Sequence, residues 1–174
     1  MLRKLLLPML AGFVFLAGCG GPPKLVSFKP KNQDEAVIAA QVMKIQNGMN
    51  LRSIDLMMQP YAEDAYIGNF HKYLGIASPG AFRSITKQQL RGAYTDLFKA
   101  VKDLQMEITE FDLTVVGDRA SGRGKIEIVL KTEKGKGEHK RGSAGASGDS
   151  IVNEVIWRMK KMPEGWKIQE EIFQ

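Results

Sequence analysis

Two polar residues stand where strand patterning asks for apolar ones, and they are the first candidates for chemistry. Ile151, Asn153, Val155, Trp157 and Met159 alternate along one stretch, and Trp166, Ile168, Glu170 and Ile172 along the next. Alternation at period two puts each set on one face of a strand, so Asn153 and Glu170 interrupt faces otherwise built for a core. A carboxyl in apolar surroundings has its pKa raised and can act as an acid or base, with an amide beside it to orient a ligand. The plainer alternative is that both lie near strand ends, where an inward polar group reaches water or a backbone partner. Tyr94 and Trp157 either line a pocket or fill the core, and His71 is a lone histidine beside a loop. With one cysteine and two histidines, the chain offers no metal-ligand spacing. It also lacks a Gly-rich phosphate loop and a nucleophile elbow, so no metal and no cofactor is expected.

These residues need a scaffold, and the patterning predicts one. Asn32 with Glu35 reads as a helix start, followed by Ile38, Val42, Ile45 and Met49 at helical spacing and Gly48 as a stop. Asn50 caps a second short helix with Leu51, Ile54, Met58 and Tyr61 on one face. Thr86 and Gln89 form a capping box, with Ile85 and Leu90 placed for a hydrophobic staple. The stripe that follows is Leu90, Tyr94, Leu97, Val101 and Leu104. "AYIGNF" (65–70) is a short strand. After residue 105 the period changes to two, with Phe111, Leu113 and Val115 in one strand and Ile126, Ile128 and Leu130 in the next. Tight turns are expected at Val116-Gly117-Asp118 and Pro163-Glu164-Gly165. Helices followed by an antiparallel meander make an α+β order.

A composition of 44% hydrophobic and 25% charged residues over 174 positions suits one globular domain. The formal charge of +6 falls to +4 for a chain beginning at Cys19, and residues 131–141 hold +3 of that. No basic face remains for nucleic acid, which is set aside as a partner. Residues 134–149 read as a Gly- and Lys-rich hairpin loop.

The N-terminus carries Arg3 and Lys4, then thirteen apolar residues (5–17), then Leu16-Ala17-Gly18-Cys19. Thirteen residues are too few for the ~20 of a spanning helix and have the length of a secretory h-region. The tetrapeptide resembles the lipobox of bacterial lipoproteins. That resemblance implies cleavage before Cys19, a diacylglycerol thioether on its sulfur and acylation of its amine, hence a membrane anchor. Gly20 in place of an aspartate implies the outer membrane, facing the periplasm. Residues 1–18 are then a signal peptide, 19–33 a lipidated cysteine with a flexible Gly-, Pro- and Lys-rich tether, and 34–174 the folded domain.

That domain resembles nuclear transport factor 2-like proteins, a family shared with SnoaL-like polyketide cyclases and ketosteroid isomerases. The resemblance rests on "KIQNGMNLRSIDLMMQPYAEDAYI", on the helix at 87–102 and on the closing hairpin "EVIWRMKKMPEGWKIQEEIF". It implies a cone: a curved antiparallel sheet wrapped around a long helix, with helices at the N-terminus and an apolar pocket within. It also implies that the isomerase chemistry is absent. Asn69 occupies the position of the general base, and an amide takes no proton from carbon. Val42 or Met43 stands in place of the oxyanion-hole tyrosine.

The expectation is therefore a lipid-anchored periplasmic domain that binds a small apolar ligand or a partner protein without turnover, through Asn69, Tyr94, Asn153, Trp157 and Glu170. The alternatives are a cyclase- or dehydratase-type enzyme using Glu170 with Asn153, and a structural envelope component forming a homodimer through its sheet.

Overall fold

The computed structural model of the protein describes residues 22–73, 83–131 and 149–174. Residues 1–21, Cys19 among them, the segment 74–82 and nearly all of the Lys-rich loop lie outside the described residues.

Helix α1 (Gln33–Asn50) begins where its cap predicts, the Asn32 side chain accepting from the Glu35 amide at 2.9 Å. The reciprocal arm of the expected box goes one residue further back, because the Glu35 carboxylate accepts from the Lys31 amide. Gly48 does not stop this helix. It lies inside α1, where a Cβ would come within 2.4 Å of Met57 Cγ on α2 (Ile54–Met58). The glycine permits close approach of two helices rather than a turn. Asn50 likewise caps nothing in α2, whose start is held by Ser53. Its amide instead bonds both backbone groups of Met106 on strand β3 (Asp103–Val116), at 2.7 and 3.0 Å. Ile38, Val42, Ile45 and Met49 form the buried face of α1.

Strand β1 (Tyr61–Gly68) starts four residues earlier than the alternation suggests and leads into one helical turn, α3 (Phe70–Tyr73). A three-residue strand, β2 (Ser84–Thr86), follows. Helix α4 (Lys87–Ala100) has the full capping box of Thr86 and Gln89, with Ile85 and Leu90 both buried. The remaining strands are β4 (Arg119–Lys131), β5 (Asp149–Met162) and β6 (Gly165–Phe173). Gly117 and Gly165 turn the two tight hairpins with positive φ, which only glycine takes without cost.

The six strands form one curved sheet in the order β2-β1-β6-β5-β4-β3. All neighbours run antiparallel except β1 and β6, which pair in parallel. An all-antiparallel sheet follows from hairpins alone, but β1 and β6 are distant in sequence and meet only by tertiary closure. The core lies between the sheet's concave side and the helices.

The stretch read as tether is in part folded. Leu25–Ser27 form a 3-10 turn, and Leu25 is 3% exposed. Phe28 stands edge-on to Phe111, with ring centroids 5.0 Å apart. Composition suggested a free linker here, yet burying one leucine yields roughly 1.5–3 kcal/mol. That helps hold a short proline-bordered segment on the surface of β3.

Candidate functional site on the concave face

Glu170 does not face the core. On β6, Ile168 pairs with Met159 while Glu170 pairs with Arg158, so Gln169 is an extra residue without a partner on β5. Such a β-bulge shifts the side-chain phase by one. Trp166 and Ile168 point inward as expected, but beyond the bulge Glu171 and Phe173 take the inward positions, in place of Glu170 and Ile172. Glu170 lies on the outer face, 39% exposed, in a 2.7 Å ion pair with Arg158.

Glu171 is 1% exposed and sits directly across from Trp157 in the ladder. The Trp157 Nε1–H donates to its Oε1 at 2.8 Å, and the Tyr61 hydroxyl donates to Oε2, also at 2.8 Å. Trp157 is held in place by glycine. Its ring covers Gly124 on β4, where a Cβ would lie 2.7 Å from the indole. Tyr73 and Tyr94 complete the group, their rings crossing edge-to-face at 5.9 Å, with Phe70 and Phe173 packed against Tyr73.

Burial pushes the Glu171 carboxyl up to about 7, against the opposing pull of the Tyr61 and Trp157 hydrogen bonds. Removal from water costs the charged form more than two neutral donors return. The Tyr61 and Tyr94 phenols are raised well above their ordinary range, first by burial and then by neighbouring groups, Glu171 among them. Tyr73 is raised as well, mainly by burial. At neutral pH the site therefore holds protonated phenols around a carboxyl poised between its two forms.

Some polar atoms here lack partners. Asn153 Nδ2 and His71 Nδ1 are buried and make no hydrogen bond among the described residues, and the Tyr73 hydroxyl approaches the Tyr94 phenol without a well-formed bond. Asn153 shares the inward face of β5 with Val155 and Trp157. It stands four residues from Trp157, roughly 13 Å along the strand, so it marks the far end of the same face.

The sequence candidates thus separate. Trp157 and Tyr94 belong to the Glu171 cluster, Asn153 faces the same side at a distance, and Glu170 lies on the opposite side of the sheet. Asn69 has a structural occupation. It adopts left-handed backbone (φ 56°) at the end of β1, and its Nδ2 donates to the Phe173 carbonyl at 3.0 Å. Helical spacing assigns Tyr61 to a helix face, and period-two alternation leaves Glu171 off the face of Trp166 and Ile168, so the sequence marks neither as a site residue. The available signal was Phe173, an aromatic residue out of phase with Trp166 and Ile168.

A groove of about 680 Å³ lies elsewhere, between the end of α1 and β3. Three of its polar side chains are engaged with backbone groups. Gln46 accepts from the Ile108 amide, Asn50 pairs with Met106, and Arg52 donates to carbonyls at the end of α4. Gln46 and Asn50 thereby cover part of the open edge of β3.

Solved structures resemble this arrangement of sheet and helices. A Nostoc punctiforme protein with a cystatin-like fold, of unknown function, matches with a TM-score of 0.59 at 9% identity, over 84% of this chain and 93% of that one. A nuclear transport factor 2-like protein of unknown function from Pseudomonas putida matches with a TM-score of 0.58 at 10% identity, over 80% and 84%. The fold is nuclear transport factor 2-like. A third such protein with a cystatin-like fold, from Novosphingobium aromaticivorans, gives a TM-score of 0.57 at 13% identity over 80% of each chain. No protein-family model and no curated protein matches the sequence. At these identities the nuclear transport factor 2-like likeness extends to the fold, and the chemistry has to come from the residues themselves.

Proposed function

We propose that this is a lipid-anchored protein of the bacterial envelope, on the periplasmic side of the outer membrane, whose domain binds a small, mainly apolar molecule on its concave face. The anchor is supported by Leu16-Ala17-Gly18-Cys19 behind a short apolar run. The binding function is carried by one observation: the Tyr73 hydroxyl is buried among aromatic rings, beside the Glu171 group, and beyond its approach to the Tyr94 phenol it makes no well-formed hydrogen bond among the described residues. A buried hydroxyl left wholly unpaired costs about 1–3 kcal/mol, and a ligand oxygen or nitrogen would relieve whatever part of that cost the Tyr94 phenol leaves. Phe70, Tyr94 and Phe173 packed around Tyr73 supply apolar surroundings, and Asn153 is a second buried polar group farther along the same face. Binding without turnover is favoured because Asn69 is tied to Phe173 and Val42 is packed into the core, which leaves the isomerase positions without base or oxyanion donor.

A second reading is favoured by Glu171 itself. A fully buried carboxyl with its pKa at about 7 matches what a general acid or base needs near neutral pH. An enzyme of the cyclase or dehydratase kind would use it, with Tyr73 or Tyr94 polarising the substrate.

Native mass spectrometry of the protein purified from its own host tests the first reading by detecting a retained small molecule. Tyr73→Phe should then weaken binding of that molecule by about two- to tenfold, the value of one hydrogen bond, without changing the fold. No retained molecule, together with no effect of Tyr73→Phe on any ligand found by screening, would exclude the binding site. A reaction that falls by roughly 10²–10⁴ on Glu171→Gln with binding intact would favour the enzyme.

A further inference from the structure

The N-terminal segment is fastened to one side of the domain, and this limits which side an anchor at Cys19 can reach. The Pro23 carbonyl accepts from the Phe111 amide at 2.8 Å, and the Lys24 ammonium meets Glu107 at 2.9 Å. Leu25 is buried, and Phe28 packs edge-on against Phe111. Glu107 and Phe111 both belong to β3, the terminal strand of the sheet. The contacts are of different kinds, so no single one has to hold the segment alone.

Chain length then sets the geometry. Pro23 lies four positions beyond Cys19. An extended chain covers at most ~3.3–3.6 Å per residue, so the leash is no longer than about 14 Å. A tether free up to Gln33 would reach roughly 50 Å. A domain of this size has a radius of gyration of about 14 Å. The longer tether would let it tumble freely above a membrane, whereas the shorter one is less than its diameter.

Resting on the reading of Cys19 as lipidated, we infer that the domain lies against the bilayer with its β3 edge toward the lipid and its β1–β2 edge away. The surface that meets the bilayer is the segment 22–31 with the β3 strand beneath it. Val26 is 61% exposed there, and Lys29 and Lys31 are exposed beside it. An apolar tip flanked by ammonium groups suits the boundary between acyl chains and headgroup phosphates.

The test uses the mature, lipidated chain in phosphatidylethanolamine/phosphatidylglycerol vesicles carrying nitroxide headgroups. The Cys19 sulfur is consumed by its lipid, so a fluorophore can be placed through a single introduced cysteine. Asp112→Cys reports on β3 and Asp64→Cys on β1, both at exposed positions. The two strands lie four positions apart in the sheet, roughly 19 Å. Quenching is expected to be several-fold stronger at Asp112 than at Asp64. Inserting about twelve Gly/Ser residues after Gly20 should bring the two close to equal. Thr114→Cys, also exposed on β3, gives the near-side reading should Asp112→Cys fold poorly. The mass of the purified chain separates the two ways of failing. An acylated chain quenched equally at both sites overturns the orientation alone, and a chain without acyl groups overturns the Cys19 reading together with it.

Discussion

Two tryptophans in this domain make the same hydrogen bond to two carboxylates that behave in opposite ways. The Trp157 indole donates to Glu171 at 2.8 Å, and the Trp166 indole donates to Asp34 at 2.9 Å, with both rings buried. Asp34 lies at the rim, in the first turn of α1, and also accepts from the Lys161 ammonium at 2.9 Å. The Lys161 and Trp166 hydrogen bonds hold its carboxyl below the usual range, and the start of a helix favours the same negative charge. Glu171 has neutral donors only in Tyr61 and Trp157, and burial raises it to about 7. The indole bond is therefore not what sets the ionisation. Access to water and a nearby cation do. Asp34 is a fixed charge that ties α1 to the last hairpin, whereas Glu171 can gain or lose its proton near neutral pH.

The largest expected effect comes from removing the buried indole. Trp157→Ala should cost about 3–5 kcal/mol, read from urea unfolding, because it empties the space over Gly124 and strips Glu171 of one donor. A loss no greater than that of an exposed substitution would mean that the Glu171 group is not a packed unit.

The pH dependence of the two carboxylates should differ in sign. For Glu171, the folded state holds its proton more tightly than the unfolded chain, with pKa values of about 7 and 4.5. Stability from this group is thus greatest below 4.5, falls as pH rises through the window to 7, and is level above it. The span amounts to about 3 kcal/mol, and Glu171→Gln should remove it. Asp34, lowered when folded, contributes stability that is lost as pH falls through its ordinary range and below. Urea titrations of the two single variants between pH 3 and 8 would show the opposed slopes.

Tyr61→Phe should cost roughly 1.5–3 kcal/mol at pH 8, where the hydroxyl bonds a carboxylate, and less at pH 5. It should also raise Glu171 further, since that bond favours the charged form. The smallest effect is expected one residue away. Glu170→Gln breaks only an exposed pair with Arg158 and should change stability by less than about 1 kcal/mol. A larger effect at Glu170 than at Glu171 would reverse the assignment of faces on β6.

How far the site could be read in advance depended on one residue. Inward positions from Trp166 to Ile168 follow from alternation, and so does the whole face from Asn153 to Met159. The extra residue at Gln169 breaks the count, and period-two patterning has no means of registering it. Glu170 and Glu171 are identical in type, so nothing local distinguishes the buried carboxylate from the exposed one. Tyr61 was misplaced for a related reason: the two short elements on either side of Pro60 share apolar residues that suit a helix face or a strand equally well.

What the sequence by itself determined are the features made within a few residues of chain. The Thr86–Gln89 box, the Asn32 cap, the glycine turns at Gly117 and Gly165 and the change of period after residue 105 all rest on local hydrogen bonding or local side-chain spacing. They suffice for the order of the longer helices and strands and for the α+β class. Only the tertiary structure decided that Gly48 receives Met57, that Asn50 closes the edge of β3, that β1 runs parallel to β6, and that Leu25 is core rather than tether. Each joins parts of the chain whose separation leaves no trace in any short window. The identity of Glu171 as the buried acid belongs to the same class, because a bulge is a property of two strands in register and not of either strand alone.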